Sequence, residues 1–236
     1  MMVSLSDITA VVLCGGQGSR LKSVTGQTPK VMAEFGQEPF LNFILNYLQE
    51  QGIRNIVLCT GYKADILENY YEANNQGLNI RFSKEDKPLG TGGALKNAIK
   101  MIESDPCFVL NGDSLCEVDL KALLDSYYKK ETIAELSVSK VDNAEDYGSI
   151  VLNEENRIMA FEEKQSAENR YVNAGVYCIS KRAFDLMPEQ DKFSLEVDYF
   201  PKLVSKDFYG FVVDNKFYDI GTPERFNEAQ RKIRRR

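Results

Sequence analysis

The residues with the most chemical promise follow directly on an apolar run. Thr9-Ala10-Val11-Val12-Leu13-Cys14 leads into Gly15-Gly16-Gln17-Gly18-Ser19-Arg20-Leu21, and Pro29-Lys30 lies about ten residues beyond Arg20. Three glycines in four positions after a buried strand make a turn whose N–H groups can cradle phosphate oxygens. Glycine also lets the backbone approach a ligand closely. By spacing alone the loop is equally a tight strand–loop turn, since it matches neither the G-x-x-x-x-G-K-[ST] loop nor a dinucleotide fingerprint. Arg20 and Lys30 tip the reading towards phosphate. A guanidinium fork and a compact ammonium are the cations a triphosphate requires, and they stand out in a chain of net charge −6.

Such residues need strand ends that converge. The sequence predicts strands over 9–14, 55–60, 78–83 and 106–110. Between them, helical spacing of apolar residues runs from Phe40 to Leu48, from Ala64 to Tyr70 and from Ala94 to Ile102. Short strands separated by crossover helices imply right-handed βαβ units and a parallel sheet. Ligands bind beyond the carboxyl ends of such strands, where Gly15-Gly16, Gly61-Tyr62, residues 85–93 and Asn111-Gly112-Asp113 fall. After Asn111 the pattern loosens. A helix is expected over 120–128, then strands over 133–138, 148–152, 158–161 and 171–180, a helix over 194–204, a strand over 208–213 and a helix from Pro223. No repeat or Gly/Pro/Ser-rich linker divides the chain. The expectation is one α/β domain over 1–236 with a mixed, mostly parallel central sheet flanked by helices.

Composition narrows the chemistry. The chain has 236 residues, 43% hydrophobic and 27% charged, which is ample for a buried core. It has no histidine, which excludes Ser-His-Asp and Cys-His catalysis, histidine metal sites and imidazole acid–base work. The acidic balance argues against nucleic acid and anionic membranes as partners. The basic run Arg231 to Arg236 reads as a solvated helix end. Five cysteines, an odd number with no Cys-x-x-Cys, read as free thiols in a reducing compartment. With no basic-then-apolar start and no apolar stretch of membrane-spanning length, the expected location is cytoplasmic.

Together the motifs resemble the sugar-1-phosphate nucleotidyltransferases, or NDP-sugar pyrophosphorylases. Their signature is a strand, G-G-x-G-[ST]-R-L, and P-K about ten residues later; here it stands as Leu13 to Leu21 with Pro29-Lys30. Pro88-Leu89-Gly90-Thr91-Gly92-Gly93 resembles the base-contacting segment, and Asn111-Gly112-Asp113 the end-of-strand metal aspartate. Glu163-Lys164 resembles the sugar-phosphate site, Asn173-Ala174-Gly175-Val176-Tyr177 the sugar-contacting strand, and Asp219-Ile220-Gly221-Thr222-Pro223 the second metal aspartate with its turn. These motifs stand in order over essentially the whole chain. Val31 replaces a common second proline and Ser19 the commoner threonine, and neither change removes a needed group. The L-C-G-G opening, P-L-G-T-G-G and the short length are most similar to the branch that includes guanylyltransferases acting on heptose 1-phosphates.

The resemblance implies a Rossmann-like nucleotide-diphospho-sugar transferase fold, with a nucleotide-binding half over about 1–112 and a sugar-binding half over about 113–236. It implies transfer of a nucleoside monophosphate from an NTP, GTP foremost, to a sugar 1-phosphate, with release of pyrophosphate. Nucleotide contacts fall on Leu13, Gly15, Gly16, Gly18, Ser19, Arg20, Glu85, Pro88, Gly90, Thr91 and Asn111. Arg20 is expected to hold the β- and γ-phosphates and Lys30 to neutralise charge around the α-phosphate; with Asp113 they form the catalytic set. Asp113 and Asp219 are expected to share a Mg²⁺. The sugar phosphate falls to Gly148, Glu163, Lys164, Asn173 and Gly175, with Tyr147 over the sugar face. Glu85 lies near the base-reading position of relatives. Its carboxylate can accept both N1–H and N2–H₂ of guanine, but equally reads as a solvated loop charge.

Other sugars (mannose or glucose 1-phosphate) and other bases stay open. So does a non-catalytic nucleotide-sugar-binding relative, although the glycine loop, Arg20 and both aspartates are present. A metal-dependent glycosyltransferase would want Asp-x-Asp, which Asn111-Gly112-Asp113 lacks. The expected partners are small molecules, with a homodimer compatible with an apolar helix face. No general base is required, because a sugar-phosphate oxygen is already largely ionised near neutral pH. Arg20, Lys30, Lys164 and a Mg²⁺ are expected to concentrate positive charge in one cleft of an acidic protein.

Overall fold

The β-branched run at the start of the chain takes the centre of the sheet because both its faces are apolar. The structure, a computed structural model, describes residues 3–16, 18–141, 149–162, 170–214 and 217–233. β1 (Thr9–Leu13) leads through the glycine loop to a short helix α1 (Lys22–Thr25) and a small hairpin, β2 (Glu34–Phe35) with β3 (Glu38–Pro39). Then come α2 (Phe40–Glu50), β4 (Asn55–Thr60), α3 (Ala64–Ala73), β5 (Asn79–Lys84), α4 (Gly90–Ala98) and β6 (Cys107–Asn111). β4 and β6 flank β1 and β5 lies beyond β4, every pair parallel. The carboxyl ends of four strands therefore point the same way.

The second half continues this sheet past β6. β7 (Ser114–Cys116), α5 (Leu120–Lys130), β8 (Ala134–Val141), β9 (Ser149–Leu152) and β10 (Ile158–Glu162) precede the long β11 (Arg170–Ile179). α6 (Lys181–Phe184), α7 (Phe200–Leu203), β12 (Phe208–Val213), β13 (Phe217–Asp219) and α8 (Pro223–Ile233) follow. One edge of β11 pairs with β6 through Val176–Ile179 and with β9 through Tyr171 and Val172. Its other edge runs antiparallel along β8, with a register shift between Asn173 and Tyr177. Gly175 sits in that shift at φ 77°, a conformation that only glycine adopts without strain. β12 joins β8 in parallel, completing a nine-stranded sheet. The sheet is thus parallel in its first half and chiefly antiparallel beyond β6.

Alternation along β1 divides the core between two faces. Ala10 and Val12 face a cluster that includes residues of α2, α5 and α8, while Val11 faces one that includes residues of α4 and α7. Phe35 packs edge-on against Phe40, Phe43 and Phe226, fastening the hairpin, α2 and α8 together.

The short elements β2, β3, β7, β13, α1 and α6 were not expected, and two expected helices differ in form. α4 begins at Gly90, four residues before its apolar stripe, because Gly90, Gly92 and Gly93 are held by tertiary packing and not by helix propensity. The helix expected over 194–204 is a wide turn at Leu195–Tyr199, with Phe200 N–H bonded to Leu195 O, followed by α7. Pro201 has no N–H to return to Val197 O, so the turn opens by one residue. Phe200 is fully buried among Phe161, Tyr177, Tyr199 and Phe208. Phe200→Ala should lower unfolding stability by about 3–5 kcal/mol, read as a drop in urea midpoint at unchanged slope.

Candidate active site

Three of the four parallel strand ends, those of β1, β5 and β6, open onto a cavity of about 400 Å³. Leu13, Gly15 and Gly16 after β1, and Asn111 and Asp113 after β6, form one side. Glu85, Pro88, Gly90 and Thr91, after β5 and into α4, form another. Leu13 pairs with Asn111 in the β1–β6 ladder, and Gly112 N–H donates to Leu13 O at 3.0 Å. A Cβ on Gly112 would meet that oxygen at 2.6 Å, so the close approach requires glycine.

Glu85 reaches back between two strand ends. A Cβ on Gly61 would come within 2.3 Å of its Oε1, and one on Gly15 within 2.9 Å. Its Oε2 accepts the Leu89 N–H at 3.0 Å. Withdrawal from water pushes this carboxyl up from its ordinary value, and the Leu89 bond partly offsets that. Lys30 donates to Asp113 Oδ2 at 2.7 Å, with the lysine side chain 11% and the aspartate 46% exposed. Gly18, at φ 59°, lies against the Lys30 stem, so the glycine loop and Asp113 are linked through one side chain.

Other expected residues fall elsewhere. Ser19 and Arg20 are exposed on a short 3-10 turn, Ser19–Leu21, and with Gly18 do not line the cavity. Asn173 reaches Asn111 through Tyr177, and Gly175 lies directly against the Asn111 side chain. Tyr147, Gly148, Glu163 and Lys164 lie outside the described residues. Asp113 and Asp219 come from adjoining segments: β13 pairs with β7, Asp219 opposite Ser114, and Ile220 N–H donates to Asp113 O at 3.0 Å. Their side chains take different partners, Lys30 for Asp113. Asp219 accepts from Gly221 N–H at 2.7 Å and from Arg225 at 3.1 Å, and it lines a separate small pocket.

The sequence reading missed Lys192 and Glu196, which supply a further cavity wall. Glu196 Oε2 accepts from Thr91 Oγ1 and Ser194 Oγ, each at 2.8 Å, while Leu195 N–H donates to Thr91 Oγ1 at 2.8 Å. Gly92 and Gly93 N–H both turn to Phe193 O, and a Cβ on Gly93 would meet Asp191 O at 2.1 Å. The glycines of P-L-G-T-G-G announced a close backbone approach; nothing local announced that residues 191–196 make it.

The expected excess of positive charge is not what the described lining carries. Lys30 and Lys192 face Glu85, Asp113 and Glu196, with Arg20 outside the cavity. Carboxylates therefore outnumber ammonium groups here.

Residues 9–236 match the family described as Nucleotidyl transferase, and the chain belongs to it. It is a nucleotidyltransferase by fold and by sequence. It is 37% identical over 225 residues to the D-glycero-alpha-D-manno-heptose 1-phosphate guanylyltransferase of Aneurinibacillus thermoaerophilus, covering 95% of this chain and 97% of that one. The protein of the same description from Campylobacter jejuni is 35% identical, covering 91% and 95% of the two chains. Among solved structures, HddC from Yersinia pseudotuberculosis complexed with GMP-PN superposes with a TM-score of 0.85 at 38% identity, covering 96% of this chain and 99% of that one.

Members of this family generally work with a divalent metal ion. The donor chemistry here fits one. Asp113 offers a half-exposed carboxylate to the cavity, and Asp219 follows on the strand paired to its neighbour. Among the described residues no three His, Cys, Asp or Glu side chains cluster as a metal site. Among the same residues no helix is long and apolar enough to cross a membrane.

Gly61→Ala should cost about 1–3 kcal/mol by driving a methyl into Glu85, and much less in a Glu85→Ala background; an equal cost in both would refute the contact. Glu85→Gln keeps an acceptor for Leu89 and removes a desolvated charge. At pH 7 it should melt no lower than the parent protein. Its advantage should shrink as pH falls, because the raised carboxyl takes up its proton earlier in the folded state than in the unfolded one.

Proposed function

We propose that this protein transfers GMP from GTP to a sugar 1-phosphate, D-glycero-α-D-manno-heptose 1-phosphate foremost, forming a GDP-sugar and pyrophosphate in the cytoplasm. The observation that carries it is the meeting of the glycine loop, Lys30 and Asp113 beyond the carboxyl ends of the parallel strands β1, β5 and β6. The two heptose 1-phosphate guanylyltransferases it resembles match nearly end to end and support this substrate. The GMP-PN complex of the structural neighbour supports guanine, as does a carboxylate at position 85 on the cavity wall.

The chemistry is in-line attack of a sugar-phosphate oxygen on the α-phosphorus, and the protein's work is positioning and charge neutralisation. The N–H groups around Gly15 and Gly16 cradle phosphate oxygens. Lys30 sits where charge develops at the α-phosphate, and Arg20, on the flank of the loop, holds the outer phosphates. Asp113 and Asp219 would hold a Mg²⁺, whose contribution when bound is to neutralise phosphate charge. Glu85 accepts from the guanine edge. Gly148, Glu163, Lys164, Asn173 and Gly175 are assigned to the sugar phosphate. No residue has to remove a proton, since the attacking oxygen is already ionised.

A matrix of the four NTPs against heptose, mannose and glucose 1-phosphates, scored by pyrophosphate release, should peak at GTP with the heptose. Arg20→Ala and Asp113→Ala should each reduce turnover by about 10²–10³, the effect of removing one preorganised charge contact, and EDTA should abolish it. Silence across the matrix would leave a binding protein; activity that survives EDTA would remove the metal.

A further inference from the structure

We propose that Tyr177 is a positioning residue that transmits hydrogen-bond direction from the sugar side of the site to the nucleotide side, fixing Asn111 as a donor to the substrate. This rests on the nucleotidyltransferase reading, in which Asn173 serves the sugar phosphate and Asn111 the nucleotide.

The direction starts at a backbone group. Gly175 N–H donates to Asn173 Oδ1 at 2.8 Å. A backbone N–H has only a proton to offer, so the Asn173 amide is settled with its oxygen towards Gly175 and its NH₂ away from it. That NH₂ donates to the Tyr177 hydroxyl oxygen at 2.9 Å. The hydroxyl has one proton left to place, and it goes to Asn111 Oδ1 at 3.3 Å. Asn111, which lines the cavity, is thereby left with its NH₂ as the group to present to a substrate oxygen. The first two links are fixed by Gly175 N–H, and the third is the arrangement that leaves the buried hydroxyl proton with a partner.

The packing explains why the relay is a tyrosine. The residue is 1% exposed, and its ring meets Phe200 edge-on at 5.0 Å, a role phenylalanine would fill equally well. The hydroxyl is what phenylalanine lacks. Burial pushes its pKa well up, so it keeps the proton the relay requires at working pH. Gly175 completes the arrangement, because a Cβ there would press on Ser114 Oγ at 2.8 Å and on the Asn111 amide at 3.3 Å.

The test uses the whole protein, GTP and the sugar 1-phosphate that proves active. Tyr177→Phe should raise KM for both substrates by about 3- to 10-fold, the scale of one hydrogen bond, and change kcat by less than about two-fold. Asn173→Asp is the sharper variant. Aspartate accepts from both Gly175 N–H and the Tyr177 hydroxyl, draws the proton away from Asn111, and should raise KM for GTP by a similar factor from the sugar side. In Asn111→Ala, adding Tyr177→Phe should not raise the GTP KM further. Unmoved GTP KM values in Tyr177→Phe and Asn173→Asp, or full additivity with Asn111→Ala, would overturn the relay, whereas a purely structural tyrosine would lower the melting temperature and leave KM alone. If Tyr177→Phe fails to fold, Asn173→Asp carries the test. Should the parent protein turn over no substrate, the function reading fails, and the relay is still scored by calorimetric Kd for a non-hydrolysable GTP analogue in the same variants.

Discussion

Glu85 is the constraint around which the strand ends are built. A carboxylate drawn out of water is unfavourable unless hydrogen bonds and solvent access compensate. Here Leu89 N–H supplies one bond, and the rest of the group packs against main chain at Gly15 and Gly61. That packing requires glycine at the ends of β1 and β4 and brings three strand ends within one side chain of each other. The same residue ties the turn before α4 to the glycine loop. A side chain at Gly61 would displace the carboxylate, and with it a wall of the cavity.

Lys30 performs the equivalent linkage on the other side. Its stem fills the space that a side chain at Gly18 would occupy, and its ammonium reaches Asp113. Exposed ion pairs contribute little to stability, but this lysine is largely shielded, so the contact fixes where its charge lies. The consequence is electrostatic. Among the described lining residues carboxylates outnumber ammonium groups, and the Lys30 charge is held on Asp113, at the edge of the segment that continues into β7.

Much of this was legible in the sequence because it is local. The β1 run, the glycine loop and the apolar spacing of α2 and α5 each depend on residues within one turn or strand, and the strands of the first half lie within a residue or two of their expected bounds. Long-range packing was not legible. Gly90, Gly92 and Gly93 signalled a close neighbour, but its identity, residues 191–196, depends on a chain segment a hundred positions away. Glu196 could not be singled out among 35 acidic residues without knowing that Thr91 and Ser194 hold it. The Asp113–Asp219 pairing was read from motif order; the ladder between β7 and β13 that brings their backbones together is too short to show a pattern. Arg20 shows the limit in the other direction. Adjacency to the loop did not place its side chain in the cavity.

The missing histidine acquires a structural meaning beyond mechanism. Imidazole would offer a site two interconverting hydrogen-bond patterns and a charge that changes near neutral pH. Amides, a phenol and backbone N–H groups offer neither. Asn173, Tyr177 and Asn111 form a chain whose polarity is set at one end by a glycine N–H, so one arrangement of donors is presented at any working pH. For a reaction that needs no proton moved, a site of invariant hydrogen-bond direction is better matched than a titrating one. What the chemistry demands is that phosphate oxygens meet donors already in place. The kink of β11 at Gly175 is what provides this, because it turns one N–H out of the sheet ladder and onto the Asn173 amide oxygen.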